Sequence, residues 1–476
     1  LSSGDSAVID FGPFNFKGGK SYFFECFSTL PNGVKDNSNL NDTSRILLKA
    51  RLKGIYTVGG VAPDFDSLKE VEGALKEMGM CAPVTFNLRN GTYTGIKINN
   101  IFGNSEINGI TFQSESLDSS KVTIEDDGNS FYVSNARSIR FNKLAFLQKS
   151  PFDYYSLRAE VHTRNIEVTS CIFDKPTGLG YASLNLIAED SLDGNYLVKN
   201  CVFKGTANFR ISANSSVRAH GRRCVVTGNY VNNGRENEIS YIDSIAFIGN
   251  TTATIIIAQS NKELFIEGNK INNGNISAFC EHDSLDTEKI ICNNVVNNGR
   301  LTLGNLTNVK IYHNTILSAT DNIDEASLQL YGKISKQQIR NNIFVNLGKS
   351  LIYLIDDDEF NSLDHPNVFD YNTVYSPHIT IQSTWNPHFW KSKFKKWEEW
   401  KSYAGQDKHS LFFMPQFLSQ TDLHLLNDKR LNNSGQANAI VPFDLDNNLR
   451  NKQHPDPGAY EFNSVALPDD AGIISV

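Results

Sequence analysis

One short pattern recurs along this chain and restricts its fold more than any other feature. An apolar-polar-apolar stretch is followed by Asn or Gly, and then by a second short alternation. Leu264-Phe265-Ile266-Glu267-Gly268-Asn269-Lys270-Ile271 and Val309-Lys310-Ile311-Tyr312-His313-Asn314-Thr315-Ile316 are two examples. From about residue 107 the second alternation returns at residues 110–112, 144–146, 171–173, 201–203, 229–231, 250–252, 269–271, 294–296, 314–316, 342–344 and 372–374. The steps are about 20–35 residues, the range in which a supersecondary unit repeats to build a solenoid.

Alternation with period two means a strand with one buried face. Asn and Gly at a fixed place supply a bend, because both tolerate left-handed backbone. The Asn amide can also bond to the Asn one coil away, as in stacked β-structures. A strand-bend-strand unit without intervening helices cannot bury its apolar face alone, but a stack of coils can. The expected fold is therefore all-β, a right-handed parallel β-helix, of about fifteen coils. Propeller blades need four strands each, and leucine-rich repeats need a Leu and Asn consensus that is missing.

Length agrees. The chain has 476 residues, more than one compact core of roughly 250–300 residues holds, whereas a solenoid grows along one axis. A net charge of −7 argues against nucleic acid and anionic membrane surfaces as partners. No run of 18 apolar residues occurs, so membrane insertion by a helix is not expected. The start at Leu1-Ser2-Ser3-Gly4, without Met, suggests a processed or excised piece. The 7 Cys form no C-x-x-C pair. Cys171 and Cys201 stand at the same place in two coils and read as small apolar residues facing inward, with a disulfide as the alternative.

The ends of a β-helix need caps. Ser67-Leu68-Lys69-Glu70 is a capping box, Leu68, Val71, Leu75 and Met78 follow at helical spacing, and Gly79 stops the helix. All four Trp, at 385, 390, 397 and 400, lie within residues 376–405. A helical insertion over about 386–404, laid on the rod, is expected there. Trp385, Trp390 and Trp397 could stack on a sugar, or pack as core. Residues 7–16, 21–28 and 43–50 read as strands of a different domain, so residues 1–53 are separated from a β-helix over 54–462. Residues 463–476 read as a linker and the start of a following domain.

Gly54 to Gly60 with Pro63-Asp64-Phe65, Pro83 to Tyr93, and Ile110 to Ser114 resemble the opening of β-helix modules in very large surface proteins of Bacteroidota. Trp397, Gly405 to Ser410, Pro415-Gln416-Phe417, Asp422 to Leu425 and Pro455 to Phe462 are similar to the end of those modules. The resemblance implies Ig-like β-sandwich strands in residues 1–53, type IX secretion, and display on the cell surface as in gliding-motility (SprB-like) adhesins. No C-terminal sorting domain is visible. The implied function is a non-catalytic, extracellular rod in a large adhesin. Its partners would be neighbouring domains of the same polypeptide and surface polysaccharide.

The alternative is a secreted polysaccharide lyase or glycoside hydrolase working in a groove on the rod. A lyase needs a base beside a uronic carboxylate and a cation to neutralise it. Arg218, His220, Arg222 and Arg223, with Arg158, His162 and Arg164 two or three coils earlier, are the candidates; scattered turn residues are the plainer reading. A hydrolase needs two carboxylates. Asp126-Asp127, Asp356 to Glu359, and Glu281, Asp283 and Asp286 are the acidic clusters, although neighbours in a strand face opposite ways. Calcium is the one cofactor suggested. Asp444, Asp446 and Asn448 alternate oxygen ligands, with a structural turn as the alternative.

Overall fold

The computed structural model describes residues 7–462 except 11, 31–32, 36–39, 41, 127–130, 150–154, 177–181, 214–220, 233–234, 260–261, 281–286, 357–365, 378–380, 384–391 and 427. Among the described residues, three sheets of 13 strands each run along a parallel β-helix. Sheet 1 holds strands such as Arg164–Thr169, sheet 2 strands such as Ile172–Lys175, and sheet 3 strands such as Leu184–Ala188. Strands pair in parallel with their counterparts one coil on, as at Ile139, Ile166 and Tyr196, except that the last strand of sheet 3, Ser392–Phe394, is antiparallel to its neighbour. Thirteen stacked strands at about 4.8 Å span roughly 60 Å, two rungs fewer than the repeat count suggests.

Alternation selects the core. In sheet 1, Phe86, Phe112 and Phe141 stack at 5.3 and 5.8 Å between centroids. In sheet 2, Phe146, Phe173 and Phe203 stack at 5.0 and 4.9 Å. All six are fully buried. The recurring Asn sits at the bend between sheets 1 and 2. Asn229, Asn250, Asn269, Asn294, Asn314, Asn342 and Asn372 form a buried ladder, each amide bonding to the next at 2.9–3.1 Å. Earlier rungs carry Cys201 and Cys171, both buried and free. Their thiols donate to the carbonyls of Val168 and Phe141, as the amides do in later rungs. These cysteines therefore face inward, as expected.

The ladder ends on Asp407. Its carboxylate accepts from the Ser410 hydroxyl at 2.6 Å, Trp400 Nε1 at 3.0 Å and Asn372 Nδ2 at 3.4 Å. Burial lifts this carboxyl from 3.8 to about 6, against those hydrogen bonds, which lower it. A carboxyl raised by folding favours the folded state most below pH 3.8, and this advantage is lost as pH rises through the folded value. Asp407→Asn removes the titration. The stability of wild type minus variant should therefore fall between about pH 4 and 6 and level off above about pH 7. Urea denaturation across that range measures it, and a difference independent of pH would refute it.

The N-terminal cap is a helix, α1 (Leu68–Met78), with Ser67 as N-cap accepting from Glu70 N. Leu68, Val71, Ala74 and Leu75 are buried beneath it. Gly79 ends it at φ 66°, where a Cβ would meet Phe102 O at 2.6 Å. At the other end, α2 (Trp397–Ala404) occupies the last part of the expected helical insertion. Its Trp397 and Trp400 pack on Tyr353 at the end of the core, and Trp400 also meets Phe369. This helix closes the rod rather than lying along it. Trp397 is 5% exposed, which corrects its reading as a sugar-stacking residue. Trp385 and Trp390 lie outside the described residues.

Residues 405–462 turn back over the outer faces of sheets 1 and 2. Leu423, Ala459 and Tyr460 pack on Val295, Leu317, Ile343 and Val345, and Val441 on Cys292 and Tyr312. Buried Arg450 binds Asn293 Oδ1 at 2.8 Å, Gly458 O at 3.0 Å and Glu461 Oε2 at 3.1 Å. His313 is fully buried, which keeps its pKa well below the usual value. The neutral ring lies 3.1 Å from Asp456 O at Nδ1 and 3.0 Å from Asn341 Nδ2 at Nε2, so Nδ1–H donates and Nε2 accepts.

His424 ties the strap to itself. It bonds Asp422 at Nδ1 and Asp446 Oδ2 at 2.8 Å through Nε2, and stacks on Tyr460 at 3.7 Å. Partial burial lowers its pKa, but the two carboxylates outweigh this and hold it above 6.5. The ion-paired form thus contributes stability below the unfolded value that is lost as pH rises through the folded one. His424→Gln should abolish that pH-dependent part, checked by comparing thermal unfolding of the two chains at about pH 6 and about pH 8.5. Equal differences at both pH values would sink the idea.

Before the rod, Ser21–Phe27 and Thr43–Lys49 pair as an antiparallel ribbon. The described part of residues 7–16 forms no strand. Phe14, Phe16, Tyr22 and Phe24 form an edge-to-face cluster there. The ribbon's end is anchored to the rod by Lys17 and Asp64 at 2.8 Å. Sheet 1 starts at Leu52.

Candidate functional site

The chemistry-bearing residues gather where sheet 3 turns into sheet 1, in the N-terminal half of the rod. Register does this. Tyr132, Arg158, Asn185, Arg210 and Glu238 are in-register partners on five successive strands of sheet 3. In a pleated strand one such position points the same way in every coil, so the five make a polar row with about 4.8 Å between neighbours. Tyr132 donates to Glu160 Oε1 at 2.8 Å, and Glu160 also pairs with Arg158. Arg158 lies over the Tyr155 ring. Asn185 is buried, and among the described residues its Oδ1 and Arg158 Nε have no hydrogen-bond partner.

Across the turn, Arg137, Arg164 and Gly194 are in-register partners at the edge of sheet 1. A Cβ on Gly194 would lie 3.0 Å from Arg222 N, so Arg222 takes the next place. Gly194 leaves a gap in a column of arginines. Arg164 lies 3.7 Å from Asp193 Oδ1 at Nε and 3.8 Å from Glu106 at Nη1. Arg137, Arg222 and Arg223 are exposed and form no ion pair among the described residues.

The turn itself is strained. Val161 and His162 have φ of 53° and 51°, a region rare for non-glycine residues and most costly for a β-branched one. This swings His162 over the next coil. Its Nδ1 lies 3.3 Å from Asp190 Oδ2 and 3.7 Å from Asp193 Oδ2. Burial raises the pKa of Asp193, with the nearby Asp190 charge adding to it.

Of the residues singled out from sequence, Arg158, His162, Arg164, Arg222 and Arg223 therefore share one edge. Arg218 and His220 lie outside the described residues, as do Asp127, Glu281, Asp283, Asp286 and residues 357–359. Tyr132, Glu160, Asn185, Asp190, Asp193 and Arg210 were missed. Only coil-to-coil register could have revealed them, because 25 to 27 residues separate these members of one row.

Asp444, Asp446 and Asn448 sit in the C-terminal strap instead. Asp444 Oδ1 accepts from the backbone of Asp446 at 2.9 Å and Asn448 at 2.7 Å. Its Oδ2 accepts from Asn448 Nδ2 at 3.1 Å and Glu461 N at 2.9 Å. Asp446 is engaged by His424. These oxygens are committed to a turn, which competes with their use as calcium ligands.

No known family model matches the chain, and no curated protein does. Among solved structures it is similar to the PL6 family polysaccharide lyase Pedsa3628 from Pseudopedobacter saltans, at 13% identity and a TM-score of 0.34, over 75% of this chain and 98% of that one. It is also similar to the PL6 family alginate lyase AlyGC, at 13% identity and a TM-score of 0.35, over 85% of this chain and 59% of that one.

Proposed function

We propose that this β-helix cleaves an acidic polysaccharide by β-elimination at the edge between sheets 3 and 1. The observation that carries this is the register-built column of Arg137, Arg164 and Arg222 beside the polar row of sheet 3. In that reaction a base removes the proton beside a uronic carboxylate, a double bond forms, and the glycosidic oxygen leaves with a proton. A cation near the carboxylate stabilises the intermediate charge. Arg164 and Arg222 are proposed to face the carboxylate. His220 is proposed as the base on its chemistry and on its place in the chain two residues before Arg222.

The row along the axis suits a polymer, whose sugars would meet Tyr132, Arg158 and Arg210 in turn. Incubation with alginate, pectate and glycosaminoglycans, with and without calcium, tests the reading. Unsaturated product, seen by ultraviolet absorbance and matched by new reducing ends, is expected for one of them. Reducing ends without that absorbance would point to hydrolysis, and neither would reject an enzyme for these polymers.

One observation favours a second reading. Arg158, Arg164 and Arg210 face carboxylates of Glu160, Asp193 and Glu238, which offsets much of their charge. A non-catalytic adhesive rod, displayed at the cell surface between neighbouring domains, would need only such a polar face. Among the described residues no helix is long and apolar enough to cross a membrane. Retention of the chain on an immobilised polysaccharide that it leaves uncleaved is the outcome that this reading expects.

A further inference from the structure

The turn that carries His162 holds a group of donors that neither reading uses. His162 Nδ1 and one carboxylate oxygen each from Asp190 and Asp193 all lie within 4.8 Å of one another. Asp190 is aimed by its own turn, since Oδ1 accepts from Leu192 N at 2.7 Å and Asp193 N at 3.1 Å. This leaves Oδ2 towards the imidazole. Asp193 is the second, independent sign. Its side chain is only 2% exposed, yet its hydrogen-bond donors among the described residues are backbone N–H groups alone, Glu189 N at 3.2 Å to Oδ2 and the N–H of Asp190. Buried carboxylates normally also draw a side-chain or charged donor. The nearest one, the Arg164 guanidinium, stands 3.7 Å from Oδ1, beyond hydrogen-bond reach.

The imidazole makes no hydrogen bond to either carboxylate, although it lies 3.3 and 3.7 Å from them. That spacing is long for a charged hydrogen bond. The shorter separation matches the edge of a coordination polyhedron, because donors about 2.0–2.1 Å from a tetrahedral Zn²⁺ lie roughly 3.3 Å apart. An imidazole with two carboxylates suits zinc-like metals, whereas calcium takes six to eight oxygens.

We infer that His162, Asp190 and Asp193 form a mononuclear site for a borderline-soft divalent metal of the zinc type, with a fourth position open to solvent. His162 is 60% exposed, so the ion has a path in. The ion and the two carboxylates are together neutral, and Glu106 lies 3.8 Å from the nearby Arg164. The site lies beyond the proposed elimination chemistry, and its test reads binding rather than turnover.

The metal-stripped full chain is titrated with Zn²⁺ by calorimetry and with Co²⁺ by visible absorption. One equivalent is expected, with the intense band of tetrahedral cobalt. His162→Asn, which tolerates the left-handed backbone, and Asp190→Asn should each weaken binding at least about tenfold. His409→Ala, at an exposed His–Asp pair elsewhere, should leave it unchanged. Far-UV circular dichroism confirms that each variant is folded. Absence of stoichiometric binding overturns the site, as does equal binding by His162→Asn and wild type. Equal affinity for Ca²⁺ would overturn its zinc-type character.

Discussion

Asn314→Ala is expected to cost about 4 kcal/mol or more, since it strands several buried polar groups at once. Asn314 Oδ1 accepts from Asn294 N at 3.0 Å and Asn294 Nδ2 at 2.9 Å. Its Nδ2 donates to Ile291 O at 2.9 Å, Tyr312 O at 3.1 Å and Asn342 Oδ1 at 3.0 Å. The coil is closed above and below, so relaxation and water entry cannot replace these bonds cheaply. Asn99→Ala is the matched comparison. Asn99 Oδ1 accepts from Asn135 Nδ2 at 3.1 Å at an exposed position, where water takes over, and a loss of under about 0.5 kcal/mol is expected. Urea denaturation of both variants checks the contrast. A similar small loss at both positions would show that the buried ladder adds little beyond packing.

Arg222→Ala should lower kcat/KM on the cleaved polysaccharide by on the order of 10²- to 10³-fold, the usual effect of removing one group that meets charge in the transition state. The loss should fall mainly on kcat, because developing charge is what the cation meets. Arg222 is the better test than Arg164, which also holds Asp193 and Glu106 in place. Arg140→Ala serves as control. It lies on the outer face of sheet 1, paired with Glu167 at 2.9 Å, and should change kcat/KM by less than about threefold. Equal losses in both variants would indicate a general electrostatic effect on polymer binding, and the elimination reading would lose its cation.

The repeat, the bend residue and the inward stack could be read without coordinates because each is local. Alternation marks a buried strand face, and Asn269, Asn294 and Asn314 mark the bend by their chemistry alone. The α1 cap was legible for the same reason, since Ser67, Glu70 and Gly79 carry their own signals. Trp397 was not. An aromatic at helical spacing looks alike whether it covers a core or meets a sugar, and only its place against Tyr353 and Phe412 decides. The strap over residues 405–462 was equally hidden, because Arg450 and Asn293 are 157 residues apart.

The amino-acid sequence determined that this chain coils, where each coil bends, and that arginines and histidines cluster near residues 158–164 and 218–223. Period-two patterning and Asn chemistry act over a few residues and need no partner to be recognised. The tertiary structure alone decided which turn residues share an edge. Coil lengths vary, so a one-residue change in a turn shifts which side chain stacks on which. That register set Arg164 beside Asp193, aligned Tyr132 with Arg158 and Asn185, and brought His162 up to two carboxylates of the following coil.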